Sequence, residues 1–177
     1  MSSAKEKSIN LIAAVSDNDV IGLENGELPW ILPGDLKHFR ELTTNNTVVM
    51  GWHTWKSLGE KPLPNRMNII LSRKHRILPR SRWLKQIRYP MELFMLPKNK
   101  RPGSIWIIGG GQVYSAYLPI VQDMYLTYVH LNIPNEEKCI KFPKIHWSEW
   151  EAFEKTDHEE DFYENGINYE YKHYVRI

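Results

Sequence analysis

The sequence predicts an α/β fold built on a mixed, mostly parallel β-sheet flanked by helices. Short apolar runs rich in β-branched residues recur along the chain, and helical patterns separate several of them. This alternation is typical of parallel strands joined by crossover helices. Near the C-terminus two strands follow each other without a helix, and the turn-forming sequence Glu164-Asn165-Gly166 lies between them. The sheet is therefore expected to end in an antiparallel hairpin.

Eight strands are predicted. The first follows a polar N-terminal run, and its apolar stretch is too short for a signal peptide or a membrane span, so it is expected to be a buried strand. In chain order the predicted strands are Asn10–Val15, Thr47–Met50, Asn68–Leu71, Arg82–Leu84, Ser104–Ile108, Asp123–Val129, Glu151–Lys155 and Tyr169–Arg176.

Helices are predicted between several of these strands, at Gly34–Leu42, His53–Leu58 and Gln112–Leu118. Three prolines between Gln86 and Gly103 break any helix there into short pieces. The chain has no linker or repeat, and 42% of its 177 residues are hydrophobic. A single domain, residues 1–177, with its own core is expected.

Charge and cysteine content exclude several classes of protein. A net charge of +2 is too small to indicate nucleic acid as a partner. The basic stretch from Arg73 to Arg88 and the acidic stretch from Glu149 to Glu170 are read as two solvated faces. Cys139 is the single cysteine, and no Cys/His cluster has the spacing of a metal site. These features fit a cytoplasmic protein without a metal or a membrane partner.

Asp35 is the first candidate for chemistry. It lies in the first turn of a predicted helix and shares a face with Phe39 and Leu42, which places a carboxylate on an apolar stripe. Burial there would raise its pKa and suit it to holding a proton or binding a protonatable heterocycle. A first-turn Asp that only complements the helix dipole is the alternative.

Three predicted strands end in the same way, with glycine or serine followed by a turn into a helix or a basic pair. The endings are Val48–Gly51, Ile69–Ser72 and Trp106–Gly111. Ligands collect at the C-terminal ends of parallel strands, where glycine permits close approach of the backbone to phosphates. One such turn is often only a tight connection, but three in order, with Arg73 and Lys74 after the second, predict a dinucleotide site.

Arg66 follows a proline-containing turn and could bind a carboxylate through its guanidinium, although a solvated surface arginine is the alternative. The tryptophans are read as core residues, because no aromatic array alternates with basic residues as in a single-strand nucleic-acid site.

Eight motifs, read in order, resemble the dihydrofolate reductase family. They are Ile12-Ala-Ala14, Val20-Ile-Gly22, Asn25-Gly-Glu-Leu-Pro-Trp30, Leu32-Pro-Gly-Asp-Leu36, Met50-Gly51 with Thr54-Trp55, Pro62-Leu-Pro-Asn-Arg66, Asn68-Ile-Ile-Leu-Ser72 and Ile107-Ile-Gly-Gly-Gly111. They cover the chain from about Ile9 to Thr127. The resemblance implies a three-layer fold with an eight-stranded, mostly parallel sheet, an antiparallel C-terminal hairpin and about four helices.

The resemblance also implies hydride transfer from NADPH to C6 of dihydrofolate, with protonation at N5, to give tetrahydrofolate. Asp35, Trp30 and Thr127 would be the catalytic residues, and Arg66 would bind the α-carboxylate of the glutamate tail. Antifolate inhibitors would bind in the same cleft. The other substrate-binding residues implied are Ile12, Ala13, Leu36, Phe39, Leu58, Ile108 and Tyr114.

For the cofactor, the resemblance implies a long set of contacts along the sheet edge and a mobile loop, Gly22 to Trp30, with Leu28 at its tip. It also implies a cis peptide at Gly109–Gly110 and a monomer. The implied cofactor-binding residues are Ala14, Ile21, Gly22, Leu28, Gly51, Trp52, His53, Thr54, Leu71, Ser72, Arg73, Lys85, Ile108, Gly109, Gly110, Gly111, Gln112, Val113 and Tyr114.

The chain departs from the family pattern at the adenosine end. Trp52 stands where the family usually has a basic residue near the 2′-phosphate, and Gln112 replaces a position that is basic in some relatives. The missing charge is expected from Arg73, together with Lys74, His53 or Lys85, and the indole of Trp52 is a candidate to stack on adenine.

Three alternative functions are weighed against this interpretation. A reductase of riboflavin synthesis on the same scaffold would not need the Leu-Pro-x-Asp-Leu helix, which is intact here. A binding protein that has lost turnover would not need Asp35, Trp30, Arg66 and Thr127 together. A nucleic-acid-binding module would rely on the basic stretch and show steep salt dependence.

Overall fold

The computed structural model describes residues 7–153 and 161–177, and within them the predicted α/β fold is confirmed. The strands are β1 Ile9–Ser16, β2 Val20–Leu23, β3 Thr47–Gly51, β4 Met67–Leu71, β5 Leu84–Ile87, β6 Ile105–Ile107, β7 Asp123–Val129, β8 Cys139–Lys141, β9 Trp150–Ala152, β10 Phe162–Glu164 and β11 Ile167–Arg176. The α-helices are α1 Pro33–Thr43, α2 Trp52–Ser57, α3 Glu92–Met95 and α4 Gly111–Tyr117.

Eight strands form a continuous path in the order β10-β11-β7-β1-β6-β3-β4-β5, and the short β9 pairs with the far end of β11. The six strands from β7 to β5 are parallel, whereas β11 runs antiparallel to β7, β9 and β10. The parallel strands therefore present their C-terminal ends along one edge of the sheet. The glycine turn after β6, the start of α2 after β3 and the basic segment after β4 follow these ends.

The two faces of the sheet are covered by different helices, which gives three layers. In β1, Leu11 packs in the cluster that contains α4, whereas Ile12 packs on the opposite face with Phe39 of α1 and Trp55 of α2. Successive side chains of a strand point to opposite faces, so this alternation follows directly from the extended backbone. The helix α1, with Asp35, is thereby placed over the C-terminal half of β1.

The predicted hairpin forms, but between β10 and β11. Asn165 and Gly166 make its two-residue turn with φ angles of 52° and 81°, the conformation for which Asn-Gly is favoured. The strand predicted at 151–155 is β9, which ends at Ala152; residues 154 and 155 lie outside the described ranges. The hairpin partner at 162–164 was not predicted.

Other differences lie in short elements. The strand predicted at Arg82–Leu84 begins at Leu84 and continues to Ile87, so the prediction and the structure share only Leu84. The strands β2 and β8, which form a separate two-stranded sheet, and the single-turn helix α3 were not predicted. Among the described residues, no helix has both the length and the apolar character needed to cross a membrane.

Candidate active site

Asp35 and Thr127 meet at the C-terminal ends of the central strands. Thr127, a buried residue of β7, donates a hydrogen bond from Oγ1 to Oδ1 of Asp35 over 2.7 Å. The helix that carries Asp35 begins at Pro33, a residue well suited to the first helical position. No side chain of the preceding residue caps the helix. The backbone N–H of Gly34 instead donates to the carboxylate of Glu164 in the hairpin, at 2.9 and 3.2 Å.

Burial raises the pKa of the Asp35 carboxyl above its ordinary value of 3.8. The hydrogen bond from Thr127 and the nearby His38 lower it, while the negative charge of Glu164 raises it. The net direction is upward, as the sequence predicted. Asp35 is therefore a carboxyl that takes up a proton more readily than a solvated aspartate does.

The apolar residues predicted to bind substrate are not all on the α1 face of the sheet. Buried Ile12 packs there with half-buried Phe39 and Ile108, whereas buried Ala13 belongs to the cluster on the opposite face. By contrast, Leu36 and Leu58 are 53% and 37% exposed. Exposed leucines near the buried Ile12 and the half-buried Phe39 leave apolar surface for a ligand.

Trp30 is buried in a cluster with Leu32 and Tyr169, just before α1. Its indole Nε1 has no hydrogen-bond acceptor among the described residues. The same is true of two other buried tryptophans, Trp55 and Trp106. The indole N–H of Trp30 is thus available to an acceptor, but this feature by itself does not single it out.

Arg66 is 4% exposed, so it is not the solvated surface arginine of the alternative reading. Its Nε donates to the carbonyl oxygen of Pro64 over 3.0 Å and its Nη1 to Thr43 Oγ1 over 2.9 Å. The guanidinium carbon lies 5.8 Å from the ring centroid of Phe39. Burial, together with the charge of Arg40, lowers the pKa of Arg66. Arg66 and Arg40 are close enough for their charges to interact, and together they are suited to an anionic group.

The glycine turn after β6 lies against the end of β3. The peptide bond between Gly109 and Gly110 is cis, as expected, and Gly51 N–H donates to the carbonyl of Gly109 over 2.8 Å. A side chain at Gly51 would meet Val113 at 3.0 Å, and one at Gly109, where φ is +112°, would meet the hydroxyl oxygen of Tyr114 at 3.1 Å. Backbone approach here requires glycine, which leaves a shallow cradle beside Thr54 free of side chains.

Tyr114 connects this turn to the central strand. Its hydroxyl donates to the carbonyl oxygen of Ile12 over 2.8 Å, and burial raises its pKa. The neighbouring side chain of Ile21, from β2, approaches Gly111. The base of the Gly22–Trp30 loop therefore contacts the glycine turn.

The loop itself is anchored at its base and exposed beyond it. The strand β2 pairs with β8, and Glu24 N–H donates to the carbonyl of Lys138 over 3.0 Å. The turn is closed by Leu23 N–H, which donates to the carbonyl of Glu27 over 2.9 Å. Leu28, which is 51% exposed, follows this turn. Contrary to the expectation, it does not lie at the tip of the loop.

Basic residues gather at the end of β4. The guanidinium carbon of Arg76 lies 4.5 Å from the ring centroid of Trp52. Gln86 fixes the backbone beneath it: its Nε2 donates to the carbonyl oxygens of Ser72 and Lys74, and its Oε1 accepts from Arg76 N–H. Arg73 is exposed and close in sequence. Four of the other residues expected to hold the cofactor are half-buried or exposed along the same edge: Ala14, Leu71 and Lys85 are half-buried, and His53 is exposed.

Several residues of this region were missed by sequence reasoning. His38, Glu164 and Tyr171 lie close enough to Asp35 for their charges or hydroxyls to interact with it electrostatically. Arg40 was overlooked because Arg66, whose charge it neighbours, lies far away in sequence. Arg76 was overlooked because it belongs to the basic stretch that was interpreted as a solvated face. Gln112, by contrast, is exposed on α4 and has no described contact with the basic group. The described residues contain no cluster of acidic, His or Cys side chains that could hold a metal ion.

A family model described as dihydrofolate reductase matches residues 8–176. Among curated relatives, the dihydrofolate reductase of Haemophilus influenzae (strain ATCC 51907 / DSM 11121 / KW20 / Rd) is 34% identical over 148 residues, covering 81% of this chain and 84% of the relative. That of Mycobacterium tuberculosis (strain ATCC 25618 / H37Rv) is 38% identical over 130 residues, 72% of this chain and 75% of the relative.

The fold matches a solved structure of dihydrofolate reductase from Enterococcus faecalis, described as complexed with NADP(H) and RAB-propyl. The TM-score is 0.81 at 30% sequence identity, and the match covers 96% of each chain.

Proposed function

Because this chain belongs to the dihydrofolate reductase family, we propose that Asp35, oriented by Thr127, is the carboxyl that directs the proton in its reaction. The reaction is the NADPH-dependent reduction of 7,8-dihydrofolate to tetrahydrofolate. The observation that carries the residue assignment is a buried carboxyl whose pKa is raised by burial, hydrogen-bonded to a buried threonine.

When bound, NADPH supplies the hydride that is added to C6 of the pterin ring. Asp35 would hydrogen-bond the amino and ring N–H groups of the pterin and favour a proton at N5. Its raised pKa supports this role, because a carboxyl that holds a proton closer to neutrality is a better proton source at working pH. Thr127 would fix the orientation of the carboxylate through Oδ1 and leave Oδ2 for the substrate.

The apolar cleft would position the pterin by contacts with Ile12, Ala13, Leu36, Phe39, Leu58 and Ile108, with Tyr114 behind them and Trp30 as a catalytic N–H donor. Much of the rate would come from such positioning. Arg66 would bind the α-carboxylate of the glutamate tail, because its guanidinium is already held by Pro64 and Thr43 and faces little competition from other anions.

The glycine turn and the basic group at β4 fit a pyridine dinucleotide. The turn of Gly51, Gly109 and Gly110 would admit a backbone-bound phosphate, since a side chain at Gly51 or Gly109 would crowd Val113 or Tyr114. The Gly22–Trp30 loop, anchored through β2 beside Gly111, would close over the cofactor and exclude water. Antifolates would compete for the pterin cleft. A monomeric, single-domain protein acting in the cytoplasm belongs to the same proposal.

The first test compares the wild type with Asp35→Asn for loss of absorbance at 340 nm in the presence of dihydrofolate and NADPH. We expect Asp35→Asn to lose roughly 100- to 10,000-fold in kcat/KM, the range of a removed acid–base group. Asp123→Asn is the matched control, because Asp123 lies on the same strand as Thr127, at its other end, and bonds His173.

A folded wild type without dihydrofolate-dependent oxidation of NADPH would overturn the assignment of activity and favour the binding protein that has lost turnover. Equal losses in the two Asn variants would overturn the role of Asp35 alone.

A further inference from the structure

We propose that Arg76, stacked on Trp52, binds the 2′-phosphate of NADPH and sets the preference for NADPH over NADH. The inference rests on the proposed cofactor site. It names the residue that contacts the 2′-phosphate, the group that NADPH has and NADH lacks. It replaces the expectation that the exposed Arg73 supplies this charge.

The strand order places the adenosine end of the cofactor. Along the C-terminal edge of the sheet, Thr127 and Asp35 lie at β7 and β1, the glycine turn follows β6, and Thr54 follows β3. A dinucleotide with its nicotinamide beside Asp35 and its phosphates over the glycine turn has its adenosine at the next strand, β4. The loop after β4 carries Arg76.

Arg76 is held in place without a described hydrogen bond from its guanidinium. Its guanidinium covers one face of the Trp52 indole at 4.5 Å, and its backbone N–H donates to Gln86 Oε1 over 3.0 Å. Gln86 is fixed in turn by the carbonyl oxygens of Ser72 and Lys74. The Nε of Arg76 is buried and has no acceptor among the described residues. A fixed arginine with an unpaired buried donor is suited to a phosphate oxygen.

The surroundings of Arg76 favour an anion with more than one negative charge. No Asp or Glu occurs between Glu60 and Glu92, whereas Arg73, Lys74 and His75 precede Arg76 directly. No carboxylate from this segment neutralises the guanidinium, so the field at the end of β4 is positive. A ribose 2′-phosphate carries the charge that this field attracts, and the 2′-hydroxyl of NADH does not.

Trp52 has a defined part in this arrangement. A planar guanidinium stacked on an indole loses fewer conformations on binding than an exposed arginine, so less affinity is lost to ordering. Arg73 has no such support, since its side chain is exposed and only its backbone carbonyl is bonded, by Arg88 Nε. The tryptophan therefore orders a neighbouring cation and need not contact adenine.

The test measures binding of two fragments by isothermal titration calorimetry: adenosine 2′,5′-bisphosphate, which carries the 2′-phosphate, and ADP, which lacks it. The variants are Arg76→Met, which keeps much of the stacking volume, and Arg80→Met, which removes an exposed arginine of the same loop. We expect Arg76→Met to weaken the bisphosphate about 10- to 100-fold, as for a charge-assisted hydrogen bond, and to leave ADP unchanged. Arg80→Met is expected to change both by less than about 2-fold.

Full-length enzyme assays complete the test. In Arg76→Met the ratio of kcat/KM for NADPH to that for NADH is expected to fall by the same factor as the bisphosphate affinity. Unchanged bisphosphate affinity in Arg76→Met, or the whole loss appearing in Arg73→Met instead, would overturn the inference. In either case wild-type reduction of dihydrofolate would persist, whereas failure of the proposed function would abolish wild-type turnover itself.

Discussion

Asp35 is held in an environment that disfavours its charged form, and this costs stability. Burial makes its folded-state pKa higher than the value of 3.8 expected in the unfolded chain. The folded protein then binds the proton more tightly, so the free energy of unfolding falls as pH rises through the interval between the two values. At pH values above that interval, the ionised carboxylate of Asp35, the group suited to catalysis, therefore lowers the free energy of unfolding.

Asp35→Asn is therefore expected to inactivate the enzyme and to stabilise it near pH 7. Asn keeps an oxygen to accept from Thr127 and carries no charge to desolvate. Urea unfolding from about pH 4 to about pH 8 measures the effect, and the gain should shrink toward the acid end. A gain that is constant over this range would show that burial of the Asp35 charge is not its source.

Thr127→Val tests the orienting hydrogen bond. Because that bond lowers the pKa of Asp35, its loss should raise the pKa further and move the alkaline fall of kcat/KM to higher pH. The rate at the optimum should drop roughly 10-fold. Thr47→Val is the control. Thr47 is also buried and donates a hydrogen bond to a carbonyl, that of Pro102, but it lies at the start of β3, at the end of the sheet away from Asp35. A change in rate without a shift of the pH profile would count against a link to Asp35.

The start of helix α1 is stabilised by the β10–β11 hairpin. Its first turn lacks a cap from its own chain segment, and the carboxylate of Glu164 accepts from Gly34 N–H instead. A Cβ at Gly34 would lie 2.5 Å from the hydroxyl of Tyr169, so the hairpin and the helix approach each other at a glycine. Asn165 adds a hydrogen bond from Nδ2 to the carbonyl of Ile31 over 2.8 Å.

Glu164→Gln separates the two effects of this contact. Gln still offers an oxygen to Gly34 but removes a charge that raises the pKa of Asp35, so the pH profile should move to lower pH with little loss of stability. In this variant the charged and titratable groups that still interact with Asp35 are His38, Tyr114, Tyr169 and Tyr171.

Glu164→Ala also removes the acceptor and should cost about 1 kcal/mol in the free energy of unfolding, as for a lost helix cap. Chemical denaturation measures this cost. If Glu164→Gln and Glu164→Ala gave the same pH profile and the same stability, the cap would have no separate contribution.

The elements that sequence reasoning predicted well are those with a strong pattern of their own. The predicted bounds of β7 agree with the structure, β4 differs by one residue at its start, and β1 is one residue longer at each end. Each of these strands contains several β-branched or aromatic residues, which favour the extended conformation. The strands β2, β8 and β10 are mostly half-buried or exposed and have only three or four residues each, which is too short for a pattern to mark them. Such strands form because a partner is nearby, which the local sequence does not encode.

The residues of the site also divide into those marked by their local sequence and those brought together by distant segments. Asp35 was singled out from its own helix, but its bond to Thr127 spans 92 residues and was expected only through the family resemblance. Arg76 and Gln86 acquire their meaning when β5 pairs with β4 and brings them together. Pairings between distant segments are set by the order of strands, and the sequence patterns do not give that order.

Binding of the cofactor is expected to stabilise the whole fold, because its proposed site extends from β1 to β4. A ligand at 100 times its Kd adds about 2.7 kcal/mol, which corresponds to a rise in Tm of roughly 5–11 °C for a chain of this size. Differential scanning calorimetry with NADPH and with NADH, each at the same concentration, measures the rise. NADPH should give the larger shift in the wild type, and an equal shift from the two cofactors would contradict a 2′-phosphate site.

The position of β1 between β6 and β7 also has a consequence for synthesis on the ribosome. This strand is made first, but Ile9 pairs with Ile105, so its partners emerge roughly one hundred residues later, about 5–20 s at usual elongation rates. During that time its apolar residues have no sheet to join. We expect the nascent chain to need protection by chaperones until β7 has left the exit tunnel.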